Sequence, residues 1–128
     1  LDLYDGAGFL YRLDPELVSV LGAVNKKVAQ NDDVDEQDTF SDKVFLLSQV
    51  EAGLGIEGTT TGEFVYPFYD GIADAGRIKQ LNGSARNWWL RSPPIYSTVN
   101  VRLVNTSGAV SNTYAWRAYG LSPACVIV

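Results

Sequence analysis

The sequence predicts a single α+β domain, and three observations support that class. The chain has 128 residues, which fits one domain with a sizeable core. A helix-cap signal stands near its start, and short apolar runs separated by turn signals fill its second half. Neither an internal repeat nor a linker interrupts it, so we expect 1–128 to form one unit. Because Leu1 stands where an initiator Met is expected, we interpret that unit as the C-terminal part of a longer protein.

The first predicted element is a short helix that follows Asp14. Asp14 is a suitable N-cap, and Pro15 is favourable at the first helical position. The apolar residues within Leu17–Leu21 would form the buried face of this helix, and Gly22 would end it. The looser alternation of Val24–Gln30 predicts a strand after it.

An acidic run, Asn31–Asp38, separates the first strand from the second and predicts a solvated loop. Asp33-x-Asp35-x-Gln37 resembles a calcium loop only in part, because the Gly at the sixth position and the Glu at the twelfth are missing. Asp42–Ser48 then predicts a strand with a buried centre. Ser48-x-x-Glu51 has the pattern of a capping box and predicts a second short helix.

The segment Phe64–Gly71 packs four aromatic residues around Pro67. Aromatic side chains of this density usually belong to a core, which is our expectation. A stacking platform for sugars is the alternative interpretation.

The second half predicts a series of strands joined by turns. Asn87–Ser92 predicts a strand that Pro93-Pro94 stops. Val99–Val104 alternates in part, with Val99, Val101 and Leu103 on one face and Asn100 and Arg102 on the other.

Two further elements complete this half. Asn105–Gly108 is a hairpin-turn signal, and the return strand begins over Ala109–Asn112. Leu121–Val128 predicts a final apolar strand, in which we expect Cys125 to be buried.

The composition argues against several kinds of site. The chain has no His, which excludes Ser-His-Asp triads and His-based zinc sites, and a single Cys, which excludes an internal disulfide. We therefore predict no metal site, no cofactor and no enzymatic activity. Carboxylate pairs such as Glu63 with Asp70 or Asp74 leave glycoside hydrolysis as a remote alternative.

The charge is distributed unevenly along the chain. Residues 1–76 hold all 15 acidic residues and four of the ten basic ones, whereas residues 77–128 hold six basic residues and no acidic one. We expect the two halves to neutralise each other within one fold, and we predict no nucleic-acid partner. No segment approaches the ~18–20 apolar residues of a membrane span, so no membrane insertion is expected.

The C-terminal half carries a pattern of motifs that resembles a known family. Its blocks are WWLRSP at 88–93, VNTSG at 104–108 and G-x-x-P-A at 120–124, preceded by DKVFLLS at 42–48. Together they resemble the variable proteins of diversity-generating retroelements, which are found in bacteria and phages. The resemblance implies a C-type-lectin-like fold whose C-terminal segment is rewritten by adenine-directed mutagenesis to bind diverse ligands.

The resemblance also assigns roles to individual residues. The invariant scaffold would comprise Trp88, Trp89, Leu90, Arg91, Ser92, Pro93, Asn105, Thr106, Ser107, Gly108, Gly120 and Pro123. The varied, ligand-binding positions would be Pro94, Ile95, Tyr96, Ser97, Thr98, Asn100, Arg102, Ser111, Asn112, Thr113, Tyr114, Trp116, Arg117 and Tyr119. Trp116 is either varied or scaffold, since an Asn codon mutated only at its adenines does not reach Trp. Tyr, Trp, Arg, Ser and Asn are the side chains of adaptable binding surfaces.

The function that follows is recognition of a protein or glycan on a host, partner or virion surface. The expected location is accordingly extracellular, on a cell surface or on a phage virion. The alternative is a structural or assembly domain of a phage tail or cell-surface protein, without a varied site. In that case the aromatic residues of the polar hairpin would have no role in ligand binding.

Overall fold

The protein, seen in a computed structural model that describes residues 8–30, 36–55 and 62–128, is a small, mostly β domain with few short helices. The described strands form four small antiparallel sheets. The only α-helix of the described residues is α1 (Pro15–Val20), and 3-10 helices cover Leu10–Arg12, Pro67–Tyr69 and Asp74–Arg77. The strands are β1 (Leu21–Gly22), β2 (Val24–Ala29), β3 (Gln37–Asp42), β4 (Val44–Leu46), β5 (Lys79–Leu81), β6 (Ser84–Arg86), β7 (Trp88–Trp89), β8 (Asn100–Val104), β9 (Val110–Tyr114) and β10 (Pro123–Ile127).

Helix α1 begins as its sequence predicts. The Asp14 carboxylate accepts a hydrogen bond from the Glu16 amide at 2.8 Å, and Pro15 occupies the first helical position. The predicted buried face is wrong, because no residue of α1 is buried. Leu21 is deeply buried, but it lies in β1 and pairs with Ile127 of β10.

Strands β2 and β3 form a regular antiparallel hairpin, from Val24 opposite Asp42 to Ala29 opposite Gln37. The predicted strand over 24–30 is therefore confirmed. The loop predicted for 31–38 is wrong at its end, since Gln37 and Asp38 belong to β3. Residues 31–35, which hold most of the calcium-like pattern, lie outside the described residues. The β3 segment forms a strand because its backbone pairs with β2. This pairing stabilises the strand more than the low β propensity of its polar residues disfavours it.

The final strand lies in the middle of a sheet with the order β1-β10-β4. The strand was predicted, but the expectation that Cys125 is buried is wrong. Cys125 lies on the same face of β10 as Pro123 and Ile127, and all three side chains are exposed. Pairing on both edges buries the backbone of a strand without covering its side chains.

The predicted capping box is present, although no helix follows it. Ser48 Oγ accepts from the Glu51 amide at 3.1 Å, and Glu51 Oε2 accepts from the Ser48 amide at 3.0 Å. The chain makes only tight turns over residues 49–53. It leaves the helical path at Gly53, whose φ is +67° and where a Cβ would lie 2.5 Å from the Tyr69 carbonyl oxygen.

The core is built from buried side chains of several sheets and turns: Phe45, Leu47, Ala52, Tyr69, Trp88, Leu90 and Val104. Trp88 is 2% exposed, and its indole N–H donates to the Arg77 carbonyl at 3.0 Å. The aromatic segment 64–71 is divided, since Tyr69 joins the core whereas Phe64 and Phe68 are largely exposed. Core packing is thus confirmed for one part of that segment and wrong for the other.

The turn between β8 and β9 is ordered by Asn105. Its Oδ1 accepts from the amide and hydroxyl of Ser107 at 2.9 and 2.7 Å and from the Ala109 amide at 3.2 Å. Gly108 has a φ of +87°, and a Cβ there would lie 1.7 Å from the Asp74 carbonyl oxygen. The predicted hairpin turn is confirmed, and it packs directly against the 3-10 helix at Asp74–Arg77.

We expect Gly108→Ala to destabilise the domain by more than about 3 kcal/mol, because the added methyl group meets a backbone that cannot move aside. Gly83→Ala is the matched control. Gly83 also has a positive φ, +79°, but nothing lies within 4 Å of its Cβ position. The control should cost only about 1–2 kcal/mol, the backbone penalty alone. Urea unfolding of both variants measures the difference, and equal losses would contradict close packing at Gly108.

Candidate functional site

The β7-β8-β9 sheet distributes the predicted binding residues over two faces. Asn100 lies opposite Tyr114 and Arg102 opposite Asn112, so these four side chains share one face. Ser111 and Thr113 alternate with them and lie on the other face, beside Leu103 and Val101. The predicted positions therefore do not form one continuous surface.

The first face carries a cluster of exposed aromatic rings. The Tyr114 and Trp116 rings are stacked, with centroids 4.3 Å apart and planes 6° apart. Trp116 is 70% exposed and Tyr96 67% exposed. We call this surface the aromatic face, and it consists of Tyr96, Asn100, Arg102, Asn112, Tyr114 and Trp116.

Polar contacts connect the Tyr96 ring to side chains of β8 and β9. Asn100 Nδ2 donates to Asn112 Oδ1 at 2.9 Å, and Asn112 Nδ2 lies 3.4 Å from the Tyr96 hydroxyl. The Arg102 guanidinium carbon lies 5.6 Å from the centroid of the Tyr96 ring. The face is therefore one connected surface that joins both arms around the β8–β9 turn.

Several predicted binding residues have other positions or contacts. Pro94 is fully buried, and Arg102 is only 8% exposed, so neither is a direct surface contact as predicted. Burial lowers the pKa of the Arg102 guanidinium from its ordinary value. The Arg102 guanidinium instead packs against the Tyr96 ring. Ser97 Oγ accepts from the amides of Val99 and Asn100 at 3.4 and 3.2 Å, which places it in the turn before β8.

The remaining predicted residues lie outside the aromatic face. Ile95, Thr98 and Arg117 are exposed. Tyr119 packs on Trp89, with ring centroids 5.2 Å apart. Because Trp89 pairs with Leu103, this contact places Tyr119 on the face of the sheet opposite Tyr114.

A cleft of ≈ 620 Å³ lies between the β2–β3 hairpin and the start of β8, at the edge of the aromatic face. Its lining comprises Val28, Ala29, Gln30, Asp38, Arg91, Pro93, Thr98, Val99, Asn100, Val101, Ala115 and Trp116. We call it the hairpin cleft. Gln30 Nε2 donates to Asp38 Oδ1 at 3.1 Å across its hairpin wall. Sequence reasoning missed this wall, since only long-range folding brings residues 28–30 and Asp38 into one cleft with Trp116.

Arg91 anchors the base of the cleft. Its guanidinium donates to the carbonyls of Lys27 and Leu46 at 3.0 and 2.8 Å. It also makes two hydrogen bonds to the Glu51 carboxylate and lies 3.5 Å from Glu63 Oε1. These bonds tie β7 to the β2–β3 hairpin, β4 and the turn that follows it.

The two carboxylates beside Arg91 have opposite pKa shifts. Burial raises the pKa of Glu51, but hydrogen bonds from Arg91, Lys26 and the Ser48 amide outweigh it and hold that pKa below its ordinary value. Burial raises the pKa of Glu63, and its contacts with Ser48 and Arg91 do not offset that effect. Lys26 completes the cluster, with Nζ 2.8 Å from Glu51 Oε1.

Two of the three carboxylates named as a hydrolytic alternative are engaged in ion pairs. Glu63 lies beside Arg91, and Asp74 accepts from Arg77 at 3.1 Å. Within residues 8–30, 36–55 and 62–128, no group of three or more acidic or Cys side chains is placed to hold a metal ion. In that same part of the chain, no helix has the length and hydropathy needed to cross a membrane.

The fold and this surface define a small, mostly β domain that exposes an aromatic face beside a cleft. The chain belongs to a family described as a domain of unknown function, DUF6273, which it matches over residues 1–128. No curated protein matches the chain, and no solved structure does.

We expect Glu51→Gln to destabilise the domain by about 3–5 kcal/mol at pH 7, because the largely buried Lys26 would lose its carboxylate and Arg91 would keep only the more distant Glu63. Since the pKa of Glu51 is lower in the folded state, its contribution is present above pH 4.5, the ordinary value, and is lost as the pH falls through the folded pKa. The stability curves of parent and variant should therefore converge in acid.

Glu63→Gln provides the control, with the opposite pH trend. Because the pKa of Glu63 is raised on folding, its contribution is favourable below 4.5 and is lost as the pH rises through the folded pKa. This variant should gain stability relative to the parent between acid and neutral pH. Denaturant unfolding of the three proteins across this pH range measures both trends, and parallel curves would contradict the assignment.

Proposed function

We propose that this domain is a ligand-binding module with a C-type-lectin-like fold. We further propose that its C-terminal segment is the varied region of a retroelement variable protein. Its ligand would be a protein or glycan on a host, partner or virion surface, and its place of action extracellular. The observation that carries the proposal is the aromatic face, with three exposed rings on two arms of a well-anchored hairpin.

The roles of the motif residues support this proposal. The residues that the resemblance treats as invariant are held by many contacts, as Arg91, Asn105 and Gly108 illustrate. Ser92 Oγ accepts from the Gln49 amide at 2.9 Å, and Gly120 exchanges backbone hydrogen bonds with Asn87 and Trp89. A protein that varies its surface needs this separation, because substitutions must alter recognition without unfolding the scaffold.

The chemistry of the exposed residues also supports recognition. Tyr and Trp offer large rigid contact areas at low entropic cost, and they dominate binding energies at interfaces. Stacking of Tyr114 on Trp116 fixes both rings before a ligand arrives, which lowers the cost of ordering them. Because these rings are exposed to solvent, they add little to the stability of the fold. Exposed clusters of this kind are typical of interaction sites.

An assembly domain is the second candidate, and a different surface favours it. Leu121, Ile127 and Val128 are exposed near the C-terminal strand, and Phe68 is exposed as well. Exposed apolar residues of this kind are typical of protein contacts. If this function is correct, Ile127→Asp should change the oligomeric state, whereas substitutions on the aromatic face should leave it unchanged.

The proposal predicts that the aromatic face tolerates wide variation. In a displayed library that randomises Tyr96, Thr98, Tyr114, Trp116 and Arg117 together, most members should remain folded. Exposed positions of this kind change stability by under about 0.5 kcal/mol each. Resistance to protease measures folding, and selection on an unrelated target protein should enrich binders from the library.

A scaffold library of equal size is the control. It randomises Trp88, Leu90, Arg91, Asn105 and Gly108, whose side chains or close backbone contacts hold the fold. Few of its members should resist protease. Equal folded fractions in both libraries, or an aromatic-face library that folds but yields no binder to any target, would overturn the proposed function.

A further inference from the structure

We propose that the hairpin cleft binds a neutral saccharide, with Trp116 as its stacking platform and the Gln30–Asp38 wall as its polar edge. This inference rests on the proposed function and names the ligand class for the same site. It adds a wall from the first half of the chain, which lies outside the segment that would be varied.

The shape of the cleft suits a small polar ligand with flat apolar faces. Its ≈ 620 Å³ falls within the ~300–1,000 Å³ of small-molecule sites. One face of Trp116 is covered by the parallel Tyr114 ring, while the side chain remains 70% exposed. A sugar ring presents C–H groups on its face and hydroxyls around its edge, which matches an aromatic platform with a polar rim.

Asn100 provides a second and independent observation. It lines the cleft, its Nδ2 is used by Asn112, and its Oδ1 is buried without a hydrogen-bond partner among the described residues. Buried polar atoms are almost always paired, and a molecule in the cleft reaches this one only when the surrounding side chains shift, so we infer that it gains its partner on ligand binding. If the amides of Asn100 and Asn112 are both rotated, the atom without a partner becomes an N–H group. A hydroxyl satisfies either orientation because it both donates and accepts, whereas a cation pairs only with the oxygen.

The charges around the cleft favour a neutral ligand over a cationic one. Among the described lining residues, Asp38 is acidic and Arg91 is basic. Asp38 already accepts from Gln30, and Arg102 lies on the adjoining aromatic face. The described lining therefore carries no excess of either charge, which gives a charged peptide no electrostatic advantage over a neutral ligand.

The direct test uses a defined panel of neutral oligosaccharides built from glucose, galactose, mannose or N-acetylglucosamine, added to the isotopically labelled chain. At least one should shift the indole signal of Trp116 and the side-chain amide signals of Asn100 and Gln30, and leave the buried Trp88 indole unmoved. Trp116→Ala should weaken that binding by about tenfold or more, as truncation of a central aromatic contact does. Tyr11→Ala, at an exposed aromatic position outside the cleft lining, should leave the affinity unchanged.

Asp38→Asn and added salt distinguish the ligand classes. A neutral saccharide should bind the variant with at most about a threefold loss and should show no salt dependence. The contrary result is that the domain binds only an Arg- or Lys-rich peptide, and that this binding is lost in Asp38→Asn and in high salt. This result would overturn the saccharide inference and leave the proposed function intact. Failure of every oligosaccharide to bind would also overturn it. If the parent domain binds a saccharide but most members of the aromatic-face library unfold, the proposed varied surface is overturned instead.

Discussion

The buried Arg91 guanidinium is the interaction on which the rest of the fold depends. A buried cation requires a carboxylate partner and acceptors for its remaining N–H groups. Arg91 finds them in Glu51 and in the carbonyls of Lys27 and Leu46, while its own amide donates to the Leu47 carbonyl at 2.9 Å. These partners come from three separate parts of the chain. Satisfying one side chain therefore fixes β7 relative to the β2–β3 hairpin, β4 and the turn of the capping box.

This anchoring explains why the aromatic face and the hairpin cleft occur together. Arg91 lies at the base of the cleft, and the segment after β7 that carries it leads through Pro93 and the buried Pro94 to Tyr96. The Asn105–Gly108 turn fixes the other end of β8 against Asp74. With both ends held, the exposed rings contribute little to the stability of the fold. Their identities are free to serve recognition, which is the physical condition that a varied surface requires.

Sequence patterns predicted what short-range chemistry decides. The Asp14 cap, the Ser48–Glu51 capping box and the Asn105–Gly108 turn are confirmed, because each depends on residues within a few positions of one another. The β5–β6 hairpin was missed although Asn82-Gly83, with φ of +53° and +79°, is a strong local turn signal. Strand β3 and the exposure of Cys125 had no such signal, since both depend on which strand pairs with which.

The candidate site was predictable in composition but not in geometry. The alternation of β8 placed Asn100 and Arg102 together, and the register with β9 adds Asn112 and Tyr114 to the same face. Nothing in the local sequence indicates that Arg102 would be covered while Tyr114 stays exposed, because burial along one strand depends on the loop that folds over it. Tyr96 in that loop covers Arg102, and Trp116 reaches the hairpin cleft from the turn after β9. The site is therefore assembled from separate segments of the chain, and only folding brings them together.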